Sequence, residues 1–388
     1  MTQHSTESGS EVRDARSLYP ATRDRSYFNT AAVGLASERL VAAHHEFIDD
    51  WAAQGLDYVR GEAAAETARS RVAALLGAER SDIALIASVS AAAGLVAAQF
   101  GAAGPGDNVV IGEREYSSNH FPWRMLDRKG YEVRQVAFRN GGIEPEGLAE
   151  VVDERTKLVA FSGVQTATGH RSDIASLSAI ARSVGAVVFV DGAQMVGALS
   201  VAEHLDQIDV LATPDHKFLL HGGRGVGYCY VSPEMQERFT PVNAGWKAGN
   251  VPFQSFFGPR MELSSCASRF DNSISWLAAV GNEAALEVFD EFGAEVIYAR
   301  NRELTTMLAG SLAEVGWAPF DSGATNQSTI VSVPLGHLDG AALVSQLKDR
   351  GVVCSARDGN LRLAVHFYNH EDDIGRLVAA LGELGRPS

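Results

Sequence analysis

Residues 186–194 read AVVFVDGAQ and residues 208–227 read IDVLATPDHKFLLHGGRGVG, and these two stretches decide the fold. Each begins with a short apolar run, as in strands that helices cover on both faces. Asp191 closes the first run, and Lys217 follows the second by a few residues. Their spacing fits one strand–helix–strand crossover, so both side chains should lie at the same edge of a parallel sheet.

The same alternation of strand and helix extends outward from these stretches. Segments such as 67–77 and 173–185 have helical apolar spacing and end at glycines. The runs that resemble buried strands are 83–87, 109–112, 132–138, 157–163, 186–191, 208–213 and 225–232. The pattern predicts an α/β fold with a mainly parallel, seven-stranded sheet.

The alternating strand and helix pattern of the sequence ends at about residue 235. Residues 244–257 are rich in glycine and aromatics and are expected to form a long loop. One helix is expected from residue 275 into the 310s, and a smaller α+β domain follows, with strands at 328–333, 352–355 and 361–365 and helices at 340–351 and from 370. We therefore expect a partly disordered N-terminal segment (1–25), a large domain (26–265) and a small C-terminal domain (266–388).

Composition excludes several classes of partner. The formal net charge is −15 with a pI near 5.2, so nucleic acids and anionic membranes are poor partners. The cysteines Cys229, Cys266 and Cys354 have no metal-binding spacing, which favours a reduced, cytoplasmic setting. The first twenty residues lack the apolar core of a signal peptide, and no apolar run approaches the ~20 residues of a spanning helix.

Lys217 and Asp191 suggest a cofactor with one carbonyl and one basic nitrogen. Pyridoxal 5′-phosphate (PLP) has both, an aldehyde for the lysine amine and a pyridine nitrogen for the carboxylate. These two residues alone leave a second interpretation open, in which Asp191 begins a turn and Lys217 is a solvated surface residue.

Two further features favour the cofactor. Gln194 follows Asp191 by three residues, where it could reach the phenolic oxygen of PLP. Ser88, Val89 and Ser90 connect a strand to a helix, and such a turn offers free backbone N–H groups to a phosphate. A plain N-cap serine is the alternative.

Tyr116 and Arg362 are the remaining candidates from the residues themselves. Tyr116 follows a strand and could stack on a flat ring, although packing is the commoner role of a lone tyrosine. The Arg362 guanidinium suits bidentate capture of a substrate carboxylate, with a surface arginine as the alternative. The glycines after Lys217 form neither a dinucleotide fingerprint nor a P-loop.

Three motifs in this order resemble the class V aminotransferase family of PLP enzymes, which has the fold-type-I architecture. They are FVDGAQ (189–194), DHKFLLHGGRGVG (215–227) and LRLAVHFYN (361–369). Cysteine desulfurases, isopenicillin-N-epimerase-like proteins, kynureninases and C–S lyases belong to that family. The similarity runs from YFNTAAVGL (27–35) to HFYNHEDDIGRL (366–377).

The resemblance implies roles for individual residues. Family members are homodimers with shared active sites, and RFDNSISW (269–276) matches the segment that reaches the partner's phosphate site. The implied roles are Lys217 as cofactor anchor and catalytic residue; His216, Asp191, Gln194, Val89, Ser90, Tyr116, Thr166 and Ser273 in cofactor binding; and Arg362, Asn29 and Thr30 in substrate binding.

Departures from the family pattern narrow the reaction. Pro214 stands where many relatives have a phosphate-contacting serine, and Thr166 where many have asparagine. Desulfurases carry a nucleophilic cysteine on a mobile loop well before the carboxylate-binding arginine. Cys354 precedes Arg362 by only eight residues, which leaves no room for that loop. Strand packing therefore suits Cys354 better.

The resulting hypothesis is β-elimination, in which the C–S bond of a cysteine S-conjugate is cleaved in a biosynthetic pathway. The substrate would be a small amino acid, and the products a thiol, pyruvate and ammonia. Decarboxylating deamination, epimerisation and amino transfer on a related amino acid, or on a sugar, stay open as alternatives. A non-catalytic protein with the PLP fold is a further alternative.

Overall fold

A seven-stranded sheet forms the centre of the structure, a computed structural model that describes residues 12, 14–221, 223–258 and 262–384. The strands are β1 (Ser26–Tyr27), β2 (Ile83–Ile86), β3 (Asn108–Gly112), β4 (Glu132–Val136), β5 (Thr156–Ser162), β6 (Val187–Asp191), β7 (Val210–Pro214), β8 (Gly227–Val231), β9 (Ile330–Pro334), β10 (Val352–Val353), β11 (Ser355–Arg357) and β12 (Asn360–Ala364).

Helices cover the sheet on both faces. They are α1 (Glu38–Gln54), α2 (Tyr58–Leu76), α3 (Val89–Ala98), α4 (Phe121–Arg124), α5 (Pro145–Ala149), α6 (Ile174–Ser183), α7 (Pro233–Arg238), α8 (Trp276–Phe292), α9 (Ala294–Glu314), α10 (Gly340–Asp349) and α11 (Glu371–Glu383). No helix in the described part of the chain combines the length and apolarity needed to cross a membrane.

The order of the large sheet is β2-β8-β7-β6-β5-β3-β4, and β8 runs antiparallel to both of its neighbours. The pairs among β3 to β7 are parallel. Every residue of β6 and β7 is buried, which explains why these strands are apolar except for Asp191 and Thr213 near their carboxyl ends. The predicted mainly parallel, seven-stranded sheet is confirmed, and each predicted strand end lies within two residues of the observed one.

The C-terminal part forms a separate three-stranded antiparallel sheet in the order β11-β12-β9. The single helix expected from residue 275 is instead two helices, α8 and α9, because Gly293 breaks it with φ at 79°, a left-handed conformation that favours glycine. Helix α8 packs on α1 and α2. The boundary at 265/266 between a large and a small domain stays a prediction.

The described N-terminal residues pack against the C-terminal part of the chain. β1 pairs in parallel with β10, and Phe28 lies in the same apolar core as Trp317 and Leu361. The 3₁₀ turns at Ala15–Leu18 and Pro20–Thr22 precede β1. The expected disorder of the segment's tip concerns residues outside the described ranges.

Candidate active site

A cavity of about 340 Å³ opens where β6 and β7 end, and half of the predicted site residues meet there. Parallel strands of this kind present their carboxyl ends as a binding crevice. The predicted residues that line the cavity are Val89, Ser90, Tyr116, Asp191, His216 and Lys217. Ser88, Ser118, Pro214 and Arg224 line it as well.

Lys217 supplies the amine of this cavity. Its Nζ lies 5.5 Å from the centroid of the Tyr116 ring. Burial lowers the pKa of Lys217 to about 8, and the positive charges of Arg362 and Arg224 act in the same direction against the opposing charge of Asp191. A neutral amine, able to attack an aldehyde or accept a proton, is therefore accessible near neutral pH.

Asp191 is the buried carboxylate opposite the amine. It is 4% exposed, and its Oδ1 accepts a hydrogen bond of 2.9 Å from the Ala193 backbone N–H. Burial raises the pKa of Asp191, and the charge of Lys217 partly counters this. A second cation held in the cavity, such as a protonated ring nitrogen, would favour the ionised carboxylate in the same way.

Gln194 and Thr166 form a hydrogen-bonded link behind the cavity. The Gln194 Nε2 donates to Thr166 Oγ1 at 2.8 Å and to the Ala31 carbonyl at 3.1 Å. Its Oε1 is buried and has no hydrogen-bond partner among the described residues. An orphaned buried amide oxygen on a side chain that bonds to Thr166, a residue in the wall of a second cavity, fits a site built for a polar ligand such as PLP.

The turn from β2 into α3 has the geometry expected of an anion site. Ser88 caps α3, because its side chain accepts a hydrogen bond from the Ala91 backbone N–H at 3.2 Å. Its hydroxyl lies 3.0 Å from that of Ser90. The first-turn N–H groups of Val89 and Ser90 are thus at the positive end of a ten-residue helix that borders the cavity.

Arg362 lies on β12, at the border of a second cavity of about 530 Å³ that also reaches Tyr116 and Lys217. The guanidinium is 3% exposed and donates to Ser355 Oγ at 3.1 Å and to Thr166 Oγ1 at 2.9 Å. Burial and the nearby charge of Arg357 lower its pKa to about 10. Thr166 therefore holds both the carboxylate-binding candidate and Gln194 in place.

Glu115, which the sequence did not single out, fixes the loop that carries Tyr116. Its fully buried carboxylate accepts hydrogen bonds from the Ser162 backbone N–H (3.0 Å), the Ser162 hydroxyl (2.5 Å), Gln165 (2.8 Å) and Asn119 (3.1 Å). Ser162 and Gln165 lie at the end of β5 and just after it, whereas Asn119 lies in the 3₁₀ turn that follows Tyr116. Glu115 is the last of three consecutive charged residues (113–115) after β3, so no local pattern distinguished it from its neighbours.

Besides Gln194, three predicted residues lie outside both cavities. Thr30 is fully buried, and its hydroxyl is 2.5 Å from that of Tyr368. Asn29 forms a backbone bridge to Ala364, and its Oδ1 is buried without a partner in the described chain. Ser273 lines a different cavity of about 410 Å³ among aromatic side chains. The roles assigned to these three residues stay predictions.

The cysteines stand apart from the site. All three fall within the described residues, and none borders either cavity. Cys354 is 5% exposed between β10 and β11, and burial raises the pKa of its thiol to about 12. Its position and low acidity agree with a packing role.

Comparison with known proteins gives one family throughout. The family model described as aminotransferase class-V matches residues 26–377. A probable cysteine desulfurase of Methanothermobacter thermautotrophicus is 26% identical over 96% of this chain and 98% of its own. A cysteine desulfurase of Dickeya dadantii is 29% identical over 84% of this chain and 82% of its own.

A solved structure of the cystine C–S lyase C-DES with its product cysteine persulfide has a TM-score of 0.84 to this chain. It is 21% identical and covers 95% of this chain and 100% of its own. At that identity the likeness concerns the fold, and it confirms the expected fold type I.

Proposed function

Because the chain belongs to the aminotransferase class-V family and its cofactor is PLP, we propose that it is a lyase that cleaves the C–S bond of a cysteine S-conjugate. The observation that carries this proposal is the content of the two cavities: a lysine amine and a buried arginine, with all three cysteines elsewhere. Relatives named cysteine desulfurases support a cysteine-derived substrate.

In this proposal the first cavity holds the cofactor. Lys217 would bind its aldehyde, Asp191 its ring nitrogen, and the turn at Val89 and Ser90 its phosphate, while Tyr116 would stack on the ring. His216 would border the ring, and Thr166 with Gln194 would serve the phenolic oxygen. PLP, when bound, supplies a ring that takes up the electron pair released at the substrate Cα.

The second cavity binds the amino acid. Arg362 takes the substrate carboxylate, and its hydrogen bonds to Ser355 and Thr166 fix the guanidinium plane before the substrate arrives. Asn29 and Thr30 border the substrate from the N-terminal segment. Holding the carboxylate decides which bond at Cα stands ready to break, so Arg362 also influences the choice of reaction.

Lys217 moves the proton. Its pKa of about 8 leaves part of the amine population neutral, and that form can remove the proton from the substrate Cα. Departure of the sulfur from the β-carbon then completes the elimination. One conjugate and one water give one thiol, one pyruvate and one ammonium ion.

We also propose a cytoplasmic homodimer, with Ser273 reaching the partner's phosphate site. The support is an exposed aromatic surface on the loop between α7 and α8, where Phe253 is 46%, Phe256 47% and Phe257 95% exposed. Apolar surface of this kind commonly marks an interface. A monomer in sedimentation analysis of the holoenzyme at micromolar concentration would contradict the dimer.

The test of the reaction is a product balance. The holoenzyme is incubated with a panel of cysteine S-conjugates, and thiol, pyruvate and ammonium are quantified, with Lys217→Ala as the inactive control. Equal amounts of the three products support the lyase. Carbon dioxide without thiol, an inverted amino acid, a keto acid that retains its sulfur, or turnover of free cysteine alone would overturn it.

A further inference from the structure

The second cavity has an unusual concentration of positive charge. Arg114, Arg224, Arg357 and Arg362 all line it, together with Lys217. The chain as a whole has a net charge of −15, so this concentration runs against the composition of the protein. Positive charges gathered around one cavity repel each other unless an anion is bound among them.

The four arginines differ in the partners that their guanidinium groups have within the protein. Arg114 forms an ion pair with Asp358 at 2.5 Å. Arg362 is held by Ser355 and Thr166, as the carboxylate-binding candidate. Arg357 and Arg224 have no acidic partner among the described residues, and the only side-chain hydrogen bond of Arg357 there is to the Ala356 carbonyl.

Among the described residues, no acidic group on the cavity wall pairs with Arg357 or Arg224. Glu115 is hydrogen-bonded to four uncharged donors and burial raises its pKa, while Asp358 is paired with Arg114. The effects on pKa agree with this geometry, because Arg357 lowers the pKa of Arg362 and Arg224 lowers that of Lys217. The α-carboxylate of one amino acid offsets only one of these positive charges.

We propose that the substrate carries a second anionic group, a carboxylate on its S-substituent, and that Arg357 binds it. This inference rests on the proposed function and specifies its substrate class. Arg357 borders only the second cavity, whereas Arg224 borders both. Arg357 is therefore the residue that separates recognition of the substrate side chain from binding of the cofactor phosphate.

The test compares two nearly isosteric conjugates, S-(2-carboxyethyl)cysteine and its amide S-(2-carbamoylethyl)cysteine. Because Arg357 is exposed and a solvent-screened charge pair is lost with the amide, the wild-type holoenzyme should prefer the acid by about 2- to 10-fold in kcat/KM. Arg357→Gln should remove that preference by lowering the constant for the acid. Arg238→Gln, at an exposed arginine paired with Glu234 on α7, is the matched control and should retain it.

A binding measurement tests the second anion site independently of the reaction that the enzyme catalyses. Titration of the cofactor absorbance with each conjugate gives a Kd that does not depend on thiol release. If neither conjugate yields thiol, the lyase proposal fails, but a lower Kd for the acid that Arg357→Gln abolishes still supports the second anion site. Equal constants for acid and amide in the wild type, or a preference that survives Arg357→Gln, would overturn it.

Discussion

At the scale of single residues, Lys217 shows how surroundings convert an ordinary amine into a reactive one. An exposed lysine is almost wholly protonated at pH 7. Burial and two nearby guanidinium groups disfavour the charged form of Lys217 more than Asp191 favours it. Arg362, which is proposed to bind the substrate carboxylate, therefore also helps to activate the amine.

A reconstitution experiment tests this effect. Only the neutral amine attacks the aldehyde of PLP, and with a pKa of about 8 the neutral fraction rises through that pH. The rate at which apoprotein regains its cofactor absorbance should therefore increase from pH 7 and level off above pH 9. Arg224→Gln removes a repelling charge and should move the midpoint to higher pH. A wild-type rate that is still rising steeply at pH 10 would contradict the lowered pKa.

At the scale of elements, the candidate site depends on the hydrogen bonds of Glu115, which form a tie between the ends of β3 and β5. Glu115 follows β3, and its carboxylate joins the residues at the end of β5 through Ser162 and Gln165. The next residue in the chain is Tyr116, so the same tie fixes the height at which that ring stands over the cavity. Glu115 is a positioning residue, because it acts through Tyr116.

Glu115→Gln tests the tie. Each carboxylate oxygen accepts two hydrogen bonds, so either orientation of the amide places an N–H₂ group against a donor. We expect a loss of stability of about 1–3 kcal/mol and a higher Kd for PLP. Thermal unfolding and absorbance titration measure the two effects, and Glu154→Gln, at an exposed position, is the control. A variant that matches Glu154→Gln in both readouts would show that the tie is dispensable.

The elements also show what the sequence can predict. Strands β2, β3 and β5 to β8 are short, largely apolar runs whose burial on both faces is visible in the residues themselves, and the site residues at their ends follow from that order. The edge strand β4 contains Glu132 and Arg134 and is mostly not buried. Arg357 and Arg224 lie 133 positions apart, and no local pattern indicates that they border one cavity. The pairing of β1 with β10 was equally hidden, because it joins distant segments through backbone hydrogen bonds alone.

At the scale of the whole molecule, an ion pair and hydrogen bonds join the two ends of the described chain. Arg16 donates to both carboxylate oxygens of Asp373 on α11, at 2.6 and 3.0 Å. Ser26 Oγ donates to the same carboxylate at 3.0 Å. The chain then continues through β1 to Ala31 and Ala32, which line the second cavity. The C-terminal helix therefore helps to hold one wall of the site.

Asp373→Asn should reveal how much the Arg16–Asp373 ion pair contributes to the free energy of unfolding. The Asp373 side chain is fully buried, and the variant leaves Arg16 without its charged partner, so we expect a loss of about 3 kcal/mol at pH 7. The pH dependence of this loss follows from the pKa of Asp373. Burial raises that pKa, but hydrogen bonds from Arg16 and the His370 backbone N–H outweigh burial and lower it. A carboxyl with a lowered pKa in the folded state contributes stability above its unfolded pKa, near 4, and loses it as the pH falls further. Urea unfolding should therefore show a difference in the free energy of unfolding between wild type and variant that is full at pH 7 and shrinks below pH 4.

The control is Asp372→Asn, at a neighbouring carboxylate that is 85% exposed, which should change stability by less than about 0.5 kcal/mol. An Asp373→Asn variant as stable as Asp372→Asn at pH 7 would mean that the two ends are held by packing alone.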